Sequence, residues 1–254
     1  MCTVVILRRP GHDWPLVLAA NRDEMTGRPW LPPGRHWGDR EEVVAGQDEL
    51  AGGTWLGLND WGVIAGVLNR PGSLGPDAEL RSRGELPLEA LDHAEAAAAA
   101  DALAAVEPAS YRSFNLIIAD AREAFWIRSE GAGKAVIAAA IPEGVSMITA
   151  HDLNDDASPR IQRYLPQFEA AAAPDVEAGD WAAWQALMAE RKEDPENKDQ
   201  VGMTIVTKSG FATVSSSLLA LPAPGRTTAD GAVKPIFLFA PGRPGQAPYA
   251  PVDL

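Results

Sequence analysis

Met1-Cys2-Thr3-Val4-Val5-Ile6-Leu7-Arg8-Arg9-Pro10-Gly11, followed by Leu16-Val17-Leu18-Ala19-Ala20-Asn21-Arg22-Asp23-Glu24, is the stretch from which the fold is read. Val4 to Leu7 and Leu16 to Ala20 are aliphatic and β-branched runs. The turn signal Arg8-Arg9-Pro10-Gly11 divides them, which predicts an opening β-hairpin. Cys2 then falls at the open end of the first strand. Antiparallel pairing carries the polar cluster Ala20 to Glu24 back beside it.

Working outward, Thr54 to Leu58 and Gly62 to Leu68 flank Asn59-Asp60-Trp61-Gly62 and predict a second hairpin. Between the hairpins, residues 27 to 48 are rich in Pro, Gly, Trp and charge, which reads as a long ordered loop over a site. Residues 83 to 106, dense in Ala with spaced Leu and stopped before Pro108, predict a helix. Phe114 to Ala119, Ala124 to Arg128, Lys134 to Ile141 and Ser146 to Ala150 are spaced like an antiparallel meander. Two helices are expected over Ser158 to Ala171 and Asp180 to Arg191, the second with Asp180 as N-cap. Strands are expected at Gly202 to Thr207, Phe211 to Ser216 and Pro235 to Phe239, and an irregular surface tail from Pro241. Hairpins with helices gathered in two blocks indicate an α+β fold of antiparallel sheets covered by helices, in one domain over residues 1 to 254.

The 22 Lys and Arg residues against 35 Asp and Glu leave a formal charge of −13, so a nucleic-acid backbone or an anionic membrane is repelled on average. A single cysteine excludes an intramolecular disulfide framework and suits a reducing, cytoplasmic compartment. The apolar run at the N-terminus is short and is followed by basic residues, unlike a secretory signal or a membrane span. His12, His36, His93 and His151 are scattered without a neighbouring cysteine or helical pairing, so no metal ligand set is expected.

Cys2 is chemically unusual by position. Removal of Met1, expected when the second residue is small, would leave a thiol and an α-amine on one residue. That amine, with a reference pKa of about 7.7 to 8.0, is suited to accept the thiol's proton. Arg22 is positioned in sequence to depress the thiol pKa and hold a carbonyl, Asp23 to orient the amine, and Asn21 or Glu24 to anchor the loop. The bland alternatives are a buried structural cysteine beside a solvated turn with a surface ion pair. The group Trp30, Trp37, Trp55 and Trp61 reads as packing, or as the lining of an apolar pocket.

Met1-Cys2-Thr3, Ala20-Asn21-Arg22-Asp23-Glu24 with Arg28-Pro29, Gly52-Gly53-Thr54-Trp55-Leu56-Gly57 and Gly66-Val67-Leu68-Asn69-Arg70 resemble, in order, the signature blocks of the NRDE family, the transport and Golgi organisation protein family. The opening is more distantly similar to the choloylglycine hydrolase and penicillin V acylase group of N-terminal nucleophile hydrolases. That resemblance implies a four-layer αββα sandwich of antiparallel sheets. It makes Cys2 the nucleophile, its amine the base, Arg22 and Asp23 their partners, and Asn69 an oxyanion donor, although Asn69 also suits a turn closing the second hairpin. Asn21, Glu24, Trp55, Arg70 and His151 complete the set as substrate-binding residues.

The sequence departs from that pattern in two places. Thr149-Ala150-His151-Asp152 stands where a second asparagine is expected, leaving Asn154 or His151 as substitutes. Ser215-Ser216-Ser217 lacks the arginine of the corresponding segment in relatives, with Arg160 and Arg226 the nearest cations to replace it. Two functions follow from the resemblance. One is an N-terminal cysteine amidohydrolase acting on a linear, non-peptide amide of the acylated-amine class, with no cofactor. The other is a non-catalytic carrier of an apolar or haem-like ligand on the same scaffold. Either binds a small molecule, and neither implies nucleic acid or stable membrane insertion.

Overall fold

In the computed structural model, which describes residues 2–75, 77–191, 201–229 and 231–254, the opening hairpin forms as the sequence predicts. In chain order the described elements begin with β1 (Thr3–Arg8), β2 (Leu16–Met25), β3 (Trp30–Gly34), β4 (Val43–Asp48), β5 (Leu56–Asn59) and β6 (Ile64–Asn69). Helices α1 (Glu85–Leu91) and α2 (Ala96–Ala104) precede β7 (Phe114–Ala119), β8 (Ala124–Ser129), β9 (Ile137–Ala140) and β10 (Gly144–Ile148). Then come α3 (Pro159–Ala170), α4 (Ala182–Ala189) and β11 (Phe211–Leu221). The short strands β12 (Thr227–Thr228) and β13 (Gly231–Ala232), then β14 (Ile236–Ala240) and β15 (Ala250–Pro251), complete the order.

Two compact units result, Met1–Arg28 with Glu143–Val252, and Pro29–Pro142 with Asp253–Leu254. The first unit is built on a six-stranded antiparallel sheet of order β10-β1-β2-β11-β14-β15. Odd-numbered residues of β1 and β2 (Val5, Leu7, Val17, Ala19) join Leu218 and Ala220 of β11 in a core with Ile161, Tyr164 and Phe168 of α3 and Trp184 and Met188 of α4. The period-two alternation of the strands therefore sends one set of side chains to the helices and the other to the opposite face. Ser158 caps α3 by accepting the Ile161 N–H at 3.4 Å, with Pro159 at the first helical position. Phe168 and Trp184 lock the two helices edge to face at 5.3 Å.

The second unit holds a seven-stranded sheet in simple order β3 to β9, with the second hairpin as β5 and β6. Alternate residues of its strands (Val43, Ala45, Val63, Ala65, Leu116, Ile118) pack against Leu86, Leu91, Ala96, Ala99 and Leu103 of α1 and α2.

Several elements differ from the sequence reading. The expected loop over residues 27 to 48 contains β3 and β4, because Leu31 opposite Gln47 and Val44 opposite Leu58 find sheet partners. The single helix expected over residues 83 to 106 is two. Asn59 donates to the carbonyls of Leu91 (2.9 Å) and His93 (2.8 Å) while Asp120 accepts the Ala96 N–H (2.9 Å), so remote side chains take up the backbone groups at the break. The last strand of the expected meander, β10, leaves that sheet and pairs with β1, Val4 opposite Ile148. Trp181, and not Asp180, occupies the N-cap of α4, although Asp180 accepts the Ala182 N–H at 2.9 Å. The strand expected at Gly202 to Thr207 reduces to one bridge, Val206 with Ala212, and the tail adds β15 to the sheet.

One close approach in the second unit depends on glycine. A Cβ at Gly53 would meet the Gly84 carbonyl carbon at 2.4 Å, and the Thr54 N–H donates to the Gly84 oxygen at 2.9 Å. Gly53→Ala is expected to lower stability by about 1 to 3 kcal/mol, as overpacking against rigid backbone does. Urea unfolding followed by tryptophan fluorescence checks it, and an unchanged midpoint would show that the loop yields without cost.

Candidate active site

β1 and β2 pair with Thr3 opposite Asn21, so the residue before Thr3 arrives beside Arg22 and Asp23. The Cys2 sulfur lies against the main chain of Asp23, accepting its N–H at 3.4 Å and donating to its carbonyl at 3.6 Å. Burial pushes the thiol above its ordinary pKa, and the Asp23 carboxylate adds to this. The α-ammonium, the Asp23 N–H and Arg22 pull the other way without prevailing. Arg22 thus acts in the direction read from the sequence but does not depress the thiol overall, because desolvation of the sulfur is the larger effect.

The carboxylate of Asp23 faces the helices. Its Oδ1 accepts from Thr213 Oγ1 at 2.6 Å, and its Oδ2 lies 3.5 Å from Nη1 of Arg160, near the start of α3. The same Nη1 donates to Thr3 Oγ1 at 2.6 Å. Thr3, Asp23, Arg160 and Thr213 are all buried. Thr213 reaches Asp23 because β11 carries a bulge between Thr213 and Ser215 that absorbs Val214 as an extra residue. Ser215 then falls opposite Arg22, on the face away from the helices that alternation also assigns to Cys2. Its hydroxyl is buried and has no hydrogen-bond partner among the described residues. On the helix face, Ser216 bonds Tyr249 at 2.6 Å, and burial raises the tyrosine pKa to about 12.

Asn21 does not present its amide to an open site. Its Nδ2 donates to the main-chain carbonyls of Met188 (3.0 Å) and Met203 (2.9 Å), tying the end of α4 to the chain that leads into β11. Glu24 accepts the Met25 N–H at 2.8 Å and approaches Arg28 at 4.0 Å, which makes it a turn anchor.

Past β10, Thr149 bonds Ser158 at 3.2 Å, and His151 lies 3.8 Å from Asp155. Asn154, in a left-handed conformation, uses its side chain on the Met147 N–H (2.7 Å) and on Ser146 (3.2 Å), so this amide closes a turn. Of the two replacement cations, Arg160 joins the cluster, while Arg226 pairs with Glu177 and lies over the Trp14 ring at 5.3 Å.

Trp55, Asn69 and Arg70 belong to the second unit. The Trp55 ring packs edge-on to Trp30 at 5.8 Å and covers Gly46, where a Cβ would meet it at 2.2 Å. Asn69 ends β6 opposite Phe114, and Arg70 donates to Asn115 Oδ1 at 2.7 Å. Among the described residues no group of three or more His, Cys, Asp and Glu side chains is arranged to hold a metal ion, and no helix is long and apolar enough to cross a membrane.

Each unit is an antiparallel sheet covered by helices, an α+β fold shared with solved structures of N-terminal nucleophile hydrolase-like proteins. Solved structures of that class align over essentially the whole chain. They include the N-acylethanolamine-hydrolyzing acid amidase ortholog of Caenorhabditis elegans (TM-score 0.58, 12% identity, 99% of this chain and 100% of that one). A variant of the conjugated bile acid hydrolase of Clostridium perfringens aligns with a TM-score of 0.54 and 11% identity, over 100% of this chain and 92% of that one. At such identity the likeness establishes the fold alone.

The chain belongs to the Transport and Golgi organisation 2 family, whose model matches residues 1–221. The transport and Golgi organization protein 2 homologs of Homo sapiens and Bos taurus are each 37% identical over 110 residues, a stretch covering 41% of this chain and only 38% of the relative.

Asn21→Ala removes two buried N–H donors and strands two carbonyls, and should cost about 2 to 6 kcal/mol of stability, at about 1 to 3 kcal/mol for each orphaned group. Thermal unfolding measures this. An unchanged midpoint would return Asn21 to a purely ligand-facing role.

Proposed function

We propose that the protein is an N-terminal cysteine amidohydrolase whose substrate is a linear, non-peptide amide of the acylated-amine class. The observation that carries this reading is the seat of Cys2, at the entry of the central hairpin with its sulfur held by the peptide of Asp23, on an amidase scaffold.

The reading requires that Met1 be removed, so that the α-amine belongs to Cys2 itself. The neutral amine takes the thiol proton as the sulfur attacks the substrate carbonyl, forming a carbon–sulfur bond and an oxyanion. The C–N bond then breaks, the ammonium returns the proton to the departing amine, and water hydrolyses the thioester to release the carboxylic acid. Amide and water become acid and amine, with no other reactant. Arg22 supplies positive charge next to the nucleophile, and a fixed charge there stabilises an oxyanion without reorganisation. No step is assigned to Asn69, Arg70 or Trp55.

Burial of the sulfur among protonation-favouring surroundings is the feature that supports the second reading, a non-catalytic carrier of an apolar ligand. No part of either mechanism is routed through haem.

Intact mass of the purified protein is expected to lack the initiator methionine. Incubation with a panel of N-acyl amines should release amine, with a trappable acyl adduct on Cys2. Cys2→Ala should lower the rate by on the order of 10³ or more, as loss of a nucleophile does elsewhere. Hydrolysis that survives Cys2→Ala unchanged would end the hydrolase reading.

A further inference from the structure

We propose that Arg160 is a positioning residue for Cys2, its guanidinium gripping Thr3 and Asp23 together and so fixing the start of the chain against β2. The inference rests on the reading that Cys2 is the working group.

The geometry converges on one atom. Nη1 of Arg160 donates to Thr3 Oγ1 at 2.6 Å and lies 3.5 Å from Asp23 Oδ2. Thr3 is the covalent neighbour of Cys2, and Asp23 is the residue whose main chain holds the sulfur. A single side chain thus controls both the strand that delivers the thiol and the strand that receives it.

Two independent features show that Arg160 is held there against local preference. It stands second in α3, where the positive end of the helix dipole disfavours a cation by about 0.3 to 1 kcal/mol. It is also only 5% exposed, and a buried charge is retained only when paired. Asp23 supplies that pairing, with Thr213 completing its hydrogen bonds. A sequence that breaks two local rules at one position commonly does so at a functional site.

A chain terminus also has its own tendency to fray. Nucleophilic attack requires the reacting atom to be held within fractions of an ångström. Pairing of β1 with β2 and β10 fixes Thr3 and beyond, but Cys2 lies one residue outside the strand. The Arg160 bridge is a side-chain tie at that edge.

The charged groups that act on the sulfur are Asp23 and Arg22 from β2 and the α-ammonium; Arg160, from α3, lies 3.5 Å from the Asp23 carboxylate, and β10 and β11 carry no ionisable side chain. His151, past β10, is next to Asp155, and Glu190, past α4, lies 3.9 Å from Arg163. Arg160 therefore also offsets the Asp23 charge that opposes the thiolate.

The test is iodoacetamide alkylation of Cys2 as a function of pH, with deuterium uptake of the peptide covering residues 2 to 8. Arg160→Gln should raise the alkylation midpoint by about 1 pH unit or more, since Asp23 loses its counter-charge. It should also speed exchange in that peptide beyond any global change. Asp23→Asn should lower the midpoint, and the double variant Arg160→Gln/Asp23→Asn should lie above Asp23→Asn. If a folded Arg160→Gln matches wild type in both readouts, the proposal is overturned. Should that variant not fold, the comparison of Asp23→Asn with the double variant decides, and equal midpoints overturn it. Neither readout requires turnover, so a protein that hydrolyses nothing yet shows both effects refutes the hydrolase reading alone.

Discussion

The contact between the Cys2 sulfur and the peptide unit of Asp23 is the constraint around which the first unit is organised. It exists because β1 and β2 pair in one register, Thr3 opposite Asn21, and a slip of one residue would turn every side chain of β1 to the wrong face. That register is over-determined. Val5 and Leu7 must meet α3 and α4, Thr3 must meet Arg160, and β10 fixes the other edge. The apolar core and the polar site thus depend on the same alignment.

Alternation along the strands divides labour between the two faces of this sheet. Toward the helices, Asn21, Asp23, Thr3, Thr213 and Ser216 form a buried polar layer whose hydrogen bonds go to α3, α4 and the chain after it. On the other face, alternation gathers Cys2, Arg22 and Ser215 on three adjacent strands, with neighbouring strands about 4.8 Å apart. The unpartnered Ser215 hydroxyl lies in that row, where a buried polar group without a partner costs about 1 to 3 kcal/mol. The layer facing the helices is closed by hydrogen bonds, and the opposite row carries Cys2.

Much of this was legible in the sequence, for identifiable reasons. Strand periodicity and turn chemistry are local, so both hairpins, α3, α4 and the first part of the long strand after them, Phe211 to Ser216, follow from short windows. The ordering of Ala20 to Glu24 beside Cys2 follows from hairpin pairing alone. What escaped was non-local. Thr213 reaches Asp23 across 190 residues and nothing in its immediate neighbours marks it, while Arg160, one of two candidate cations in the sequence, is singled out only by its reach to Asp23 across 137 residues. The division of the Ala-rich helix depends on Asn59 and Asp120, which lie on distant strands. Asn21 reads in the sequence both as a loop anchor and as a substrate-binding residue. The carbonyls of Met188 and Met203, distant in sequence, are the partners its side chain holds.

The raised thiol poses the sharpest physical question about this site. Burial and the Asp23 carboxylate both favour the protonated sulfur, and a protonated thiol is a weak nucleophile. The same arrangement nevertheless suits attack by a residue that carries its own base. A sulfur already ionised in the resting state would be less basic and intrinsically less nucleophilic. One that keeps its proton until substrate arrives needs an acceptor close by, and the α-amine of a terminal cysteine stands three bonds from the sulfur. The α-ammonium already lowers the thiol pKa, and transferring it onto Cys2 itself strengthens that influence at shorter range. Under this reading removal of Met1 is the switch that converts a buried structural thiol into a reactive one. The surrounding charges, Asp23 against Arg22 and Arg160, tune the ionisation on which that event acts.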